Sequence, residues 1–117
     1  MQKSDISKWN AVIGKYRNQC GRISTISKSI RYVGVINSHG RTLAGKINSG
    51  TKPLFSANQV REEFFAIATS VKLRKKSLSA IGESNYMIFN HKKSHHIIIS
   101  KKRCNLLYYI WTKINSK

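Results

Sequence analysis

Apolar residues return along the chain with two different periods. Between Asp5 and Cys20 they fall at Trp9, Val12, Ile13, Tyr16 and Cys20, the spacing of one helix face. Ser4 or Asp5 is placed to cap the start of this helix and Gly21 to end it. Ser24, Thr25, Ser27 and Ser29 then dilute the pattern, so a loop or frayed turn is expected there. Ile30–Ile36 is a β-branched and aromatic run, and Arg41–Ile47 resumes it after Asn37-Ser38-His39-Gly40. The two runs predict a β-hairpin whose turn uses glycine for a left-handed position. Asn48 to Pro53 reads as a loop.

The second helix has the clearest local signature. Ser56 stands at the N-cap position and Gln59 three residues later completes a capping box. Phe55 and Val60 have the spacing of a hydrophobic staple. Glu62 and Glu63 lie toward the positive end of the helix dipole, and Lys72, Arg74, Lys75 and Lys76 toward the negative end. Val60, Phe64, Ile67, Ala68 and Val71 form the stripe predicted to be buried.

After a loop through Gly82, three strands are predicted: Asn85–Asn90, His95–Ser100 and Cys104–Thr112. His91–Ser94 and Lys101–Arg103 are the turns between them. Met87-Ile88-Phe89 and Ile97-Ile98-Ile99 are unbroken apolar triplets, and such strands require cover on both faces. The order helix, strand, strand, helix, strand, strand, strand predicts an α+β fold, a five-stranded antiparallel sheet with helices packed on it.

That order is similar to the roadblock/longin/profilin group. Ile30-Arg31-Tyr32-Val33-Gly34-Val35-Ile36-Asn37, followed by Gly40-Arg41-Thr42-Leu43-Ala44-Gly45, resembles the first hairpin of roadblock-like proteins, closest to small uncharacterised archaeal ones. Pro53-Leu54-Phe55-Ser56 before the second helix and Ile81-Gly82 before the third strand fit the same pattern. The resemblance runs from about Trp9 to Thr112. It implies a homodimer made by pairing the third strand into one continuous sheet, with Tyr86, Met87, Ile88 and Phe89 at the joint and the second helix, through Phe65, beside its symmetry mate. It also implies a non-catalytic regulatory or scaffold role, with a small GTPase or a signalling complex as the protein partner. Many roadblock domains end on a third helix, whereas here only about five residues follow the last predicted strand, so that helix is absent or very short. The face carrying the first helix is then left partly open, and open apolar surface of that kind marks a binding site. The alternative is that Tyr108, Tyr109 and Trp111 fold over the edge and close it.

Composition narrows the class further. A chain of 117 residues with 40% hydrophobic content suffices for one domain, 1–117, with a proper core. No apolar run approaches the roughly 20 residues that span a bilayer, and Met1–Asp5 leads into an amphipathic segment and not a signal-peptide core. A cytoplasmic protein without a membrane span is expected. Cys20 and Cys104 match no metal spacing and read as packed thiols.

Lys and Arg number 22 against 4 Asp and Glu, a net charge of +18. Such an excess attracts polyanions, although scattered charge also serves simple solubility. The second reading is therefore a basic nucleic-acid-binding accessory protein. Its contact would join Lys72, Arg74, Lys75 and Lys76 at the end of the second helix with Lys101, Lys102 and Arg103 in the last turn, at one pole of the molecule. Lys92 and Lys93 belong to the opposite pole.

Catalytic, metal and cofactor chemistry finds no support in the residues. Gly40 to Lys46 has P-loop spacing, but Ile47 stands where a Ser or Thr must hold magnesium and no helix follows. His91, His95 and His96 are close in sequence, yet successive strand residues point to opposite faces. The carboxylates are Asp5, Glu62, Glu63 and Glu83, and adjacent helix positions diverge, so no acid–base pair forms. Cys104 reads as core rather than nucleophile. No enzyme, cofactor or metal is expected.

Overall fold

The computed structural model describes residues 3–48, 50–52, 55–77, 80–82, 84–101 and 105–113. The elements follow in the predicted order: α1 (Lys3–Ser24), β1 (Ile30–Ile36), β2 (Thr42–Ile47), α2 (Ala57–Ser77), β3 (Tyr86–Asn90), β4 (Ser94–Lys101) and β5 (Leu106–Lys113). The strands form one antiparallel sheet in the order β2-β1-β5-β4-β3. The last strand thus sits in the middle. Its apolar run is the longest in the chain because Leu106 through Ile110 are all buried, on alternate faces.

Alternation sorts the core into two layers. On the α1 face, Cys20 packs with Ile30, Val33, Val35, Ala44, Leu106, Tyr108 and Ile110. On the α2 face, Phe64, Ile67 and Ala68 pack with Ile36, Ile98, Leu107 and Tyr109. The predicted stripe of α2 is therefore the buried one, with Val60 and Val71 at its margins.

Local chemistry sets the element ends. The capping box of α2 is formed: the Ser56 amide donates to Gln59 Oε1 at 2.8 Å, and the Gln59 amide donates to Ser56 Oγ at 3.2 Å. In the β1–β2 turn, Asn37 Oδ1 accepts from the His39 and Arg41 amides, and Gly40 takes the left-handed conformation at φ 84°. The P-loop-like segment is thereby spent on a turn and on β2.

Both ends of α1 depart from expectation. It already includes Lys3, so Ser4 and Asp5 lie within its first turn rather than capping it. Gly21 does not end α1, which continues to Ser24. Glycine costs about 1 kcal/mol inside a helix relative to alanine, and one more turn packs Ile23 against the sheet core. The open carbonyls are then met by side chains, Ser24 Oγ donating to Gly21 O at 2.6 Å and Thr25 Oγ1 to Arg22 O at 2.7 Å.

Two glycines serve a packing purpose. Gly34 and Gly45 face each other across β1 and β2, and the Tyr32 ring lies over both. A Cβ at either would meet the Tyr32 hydroxyl at 2.6 or 2.8 Å. That bed aligns Tyr32 for stacking with Phe64, with ring centroids 6.4 Å apart.

Candidate functional site

The exposed flank of the sheet is β3. It is the edge strand, paired on one side with β4 in the register Tyr86↔Ile99, Ile88↔Ile97 and Asn90↔His95. The His91 amide donates to Ser94 O and the Ser100 amide to Asn85 O. Antiparallel pairs alternate between bonded and non-bonded, so Asn85, Met87, Phe89 and His91 direct their amides and carbonyls at β4. Tyr86, Ile88 and Asn90 direct theirs outward. The outer edge therefore offers a ladder of the kind that another strand can extend, although the Tyr86 carbonyl on it accepts from Ser84 Oγ at 3.1 Å.

The side chains divide the same way. Met87 and Phe89 turn toward α2 and are half-buried. Tyr86 and Ile88 project from the α1 face, 63% and 55% exposed, beside Ile99 at 42%. The predicted opening of that face is present. Tyr108, Tyr109 and Trp111 do not close it: Tyr109 and Trp111 pack on the α2 side, while Tyr108 is buried and donates its hydroxyl to Gln19 Oε1 of α1. Phe65 is 63% exposed. A Cβ on Gly40 of the β1–β2 turn would lie 2.8 Å from the Phe65 backbone, so the α2 backbone at Phe65 abuts that turn.

The C-terminal half of α2 borders two cavities. One, of about 460 Å³, lies toward β3 and is lined by Arg74, Lys75, Ser84, Met87, Phe89 and Ser100 among others. The other, of about 250 Å³, lies toward the β1–β2 turn and is lined by Ser38, Lys72, Lys75, Lys101 and Asn105 among others. Val71, Lys75 and Ser100 border both. Lys72 and Lys75 near the end of α2 share the second cavity with Lys101 at the end of β4 and Asn105 before β5. Lys101 departs from the expected pole in one respect. Its Nζ sits 5.9 Å from the ring centroid of Tyr108, on the α1 face. Lys76 is exposed and borders neither cavity, and Lys102 and Arg103 lie outside the described residues, as does Cys104.

A buried polar cluster escaped the sequence reading. His96 is 2% exposed on the α2 face, hydrogen-bonded through Nδ1 to the Tyr109 hydroxyl and through Nε2 to Ser94 Oγ at 2.7 Å. A neutral imidazole has one donor and one acceptor, which these two partners use. Burial, and then the charges of His91 and His95, lower the His96 pKa to about 4. Burial first, then Glu63 and Tyr32, push the Tyr109 phenol up. The cluster is neutral and sealed, which suits a packing role. The signal for it was the strand alternation that sends His96 inward with Ile98. Among the described residues no three His, Cys, Asp or Glu side chains gather as a metal site, and no helix is long and apolar enough to cross a membrane.

Two helices on a five-stranded antiparallel sheet with this strand order are the architecture of roadblock/LC7 domains. The chain is similar to MglB of Myxococcus xanthus, with a TM-score of 0.65 at 10% identity over 88% of this chain and 79% of that one. It is similar to the gliding protein MglB of Thermus thermophilus, with a TM-score of 0.60 at 12% identity over 97% and 76%. A roadblock/LC7 domain from Streptomyces avermitilis aligns with a TM-score of 0.64 at 3% identity over 86% and 80%. No family model and no curated protein matches the sequence.

Proposed function

We propose that the chain is a non-catalytic regulatory adaptor of roadblock type that works as a homodimer joined through β3. The outward ladder of Tyr86, Ile88 and Asn90 supports this reading, because an exposed edge strand with apolar side chains is a site for strand addition; an incoming strand would displace the Ser84 hydroxyl from the Tyr86 carbonyl. Pairing Tyr86–Asn90 with the same strand of a second copy extends the sheet to both protomers, with Met87 and Phe89 beneath the joint on the α2 side. The resemblance of the hairpin residues supports a protein partner of the small-GTPase or signalling-complex kind, bound by the dimer. Native mass by light scattering tests the dimer. The wild type should run at twice the chain mass, and Ile88→Pro at the chain mass. Proline there removes an outward amide and leaves the β4 ladder whole. A wild type that stays at the chain mass at high concentration would refute the reading.

One observation favours a second reading. Lys72, Arg74 and Lys75 crowd two adjoining cavities whose described linings contain no carboxylate. Phosphate-type contacts to a nucleic acid would use this pole. Fluorescence anisotropy with labelled DNA and RNA across a salt series separates the two. Binding that persists at about 0.15 M salt, where the Debye length is roughly 8 Å, and falls at least tenfold in Lys72→Glu/Lys75→Glu would support the nucleic-acid role. Binding lost below that salt would leave the charge as a general surface property.

A further inference from the structure

The α1 face of the sheet is covered on one half only. α1 lies over β1 and β2 and reaches β5 through Gln19, whose Oε1 accepts from the Tyr108 hydroxyl. β4 and β3 continue the same face beyond it. The strand register carries one row from Tyr108 to Ile99 and Tyr86, and the next from Ile110 to Ile97 and Ile88. Exposure rises outward along both rows. Tyr108 and Ile110 are buried, Ile97 is half-buried, and Ile99, Ile88 and Tyr86 are exposed. The apolar floor of the domain therefore runs on for two strands past α1.

The border of this floor is basic. At about 100° per residue, Lys15 and Arg22 fall within about 60° of Gln19 around α1, on the side away from the buried Cys20. Both are exposed, so they stand on the flank of α1 that overlooks β5 and β4. Lys101 closes one end of the floor, its Nζ 5.9 Å from the Tyr108 ring centroid on the α1 face. The described carboxylates are elsewhere. Asp5 is in the first turn of α1, about 21 Å along the helix from Gln19, and Glu62 and Glu63 belong to α2 on the other face.

An apolar strip bordered by cations is complementary to an amphipathic helix with acidic flanks. From His95 to Lys101 β4 rises by about 20 Å, the length of about 13 helical residues. We infer that an acidic amphipathic helix of a partner protein lies on the open half of the α1 face, its apolar side on Ile97, Ile99 and Ile88 and its carboxylates toward Lys15, Arg22 and Lys101. This deepens the adaptor reading by stating the chemistry of the partner, and it rests on that reading for the partner being a protein. A net charge of +18 draws such a partner in from a distance. The two-fold axis of an antiparallel pair of identical strands runs through the sheet, so a β3 joint would set two such floors side by side on one face.

A synthetic peptide of about 14 residues, with leucines on one helix face and glutamates on the other, is the probe. Fluorescence anisotropy of the labelled peptide should report saturable binding to the whole chain. A scrambled peptide of the same composition keeps the charge and loses the apolar face, and should bind about tenfold more weakly. Isoleucine methyl resonances should shift at Ile97 and Ile99 and stay in place at Ile98, which is buried on the α2 face. Ile99→Ser should weaken binding about tenfold, and Lys15→Glu/Lys101→Glu by about as much, with circular dichroism unchanged. Equal binding of the scrambled peptide, shifts at Ile98 rather than Ile99, or variants that bind like the wild type would each overturn the inference. So would anionic vesicles that bind through Ile99 where the peptide does not, since they would give the floor to a lipid surface. A wild type that runs at the chain mass and binds the peptide would overturn the β3 joint alone. One that runs at twice that mass and binds no peptide would overturn this inference alone.

Discussion

Gly40→Ala is the substitution whose effect the structure fixes most closely. Gly40 sits in the β1–β2 turn at φ 84°, and a Cβ there would lie 2.8 Å from Phe64 O and from the Phe65 amide nitrogen and Cα. Those atoms belong to the backbone of α2, so no rotamer change relieves the contact. Two costs add. A left-handed conformation costs a non-glycine residue about 1–2 kcal/mol, offset by about 0.5 kcal/mol from the less flexible unfolded chain. Forcing turn and helix apart adds an overpacking cost of about 2 kcal/mol. The sum is about 3 kcal/mol. Gly82 supplies the control, since it has the same φ of 84° and no atom within 4 Å of the place a Cβ would occupy. Gly82→Ala should cost only the backbone part, about 1 kcal/mol. Urea denaturation of both variants gives the comparison. Equal losses, or a loss below about 1 kcal/mol for Gly40→Ala, would refute the claim that the turn is wedged against α2.

Three further outcomes follow from residues already described. His96 is buried neutral with its pKa lowered from 6.5 to about 4. The stability it contributes is complete above about pH 6.5 and drains as pH falls toward 4, by up to about 3 kcal/mol. Denaturation midpoints at pH 7 and pH 4.5 should show that loss, reduced in His96→Phe; equal slopes for the two proteins would contradict it. Ser56→Ala should lower stability by about 1 kcal/mol, and adding Gln59→Ala should cost less than the sum of the single effects because the two side chains cap α2 together. Gly34→Ala should displace the Tyr32 ring from its bed and loosen its stacking on Phe64, visible as a changed near-ultraviolet circular dichroism spectrum.

Much of the fold was legible because it rests on local rules. The α2 boundary follows from Ser56 and Gln59, and the first hairpin from Asn37 and Gly40, whose backbone needs are met within a few residues. The end of α1 was not legible, because the tertiary packing of Ile23 outweighs the local preference of Gly21. Alternation showed that His95 and His96 diverge, but not that His96 meets Tyr109 and Ser94, since that depends on β5 lying beside β4 in a particular register. The same limit applied to the aromatic residues near the chain end. Which face Tyr108 and Tyr109 occupy is set by the insertion of β5 between β1 and β4, a long-range choice with no local signature. For the candidate surfaces, the identity of β3 as an apolar strand was readable, and its outward ladder was not. The basic residues were readable as a group, yet Lys101 turns its ammonium toward Tyr108 rather than toward Lys72 and Lys75.

The central claim is that β3 pairs with a second copy through its outward groups. Amide hydrogen exchange resolved by residue, measured at low and high protein concentration, tests it directly. The Met87 and Phe89 amides, bonded to β4, should be protected at both concentrations, whereas the Ile88 amide should exchange freely when dilute and become protected as dimer forms. An Ile88 amide that exchanges equally fast at both concentrations, in a sample whose mass shows dimer, would place the dimer contact elsewhere and contradict the account.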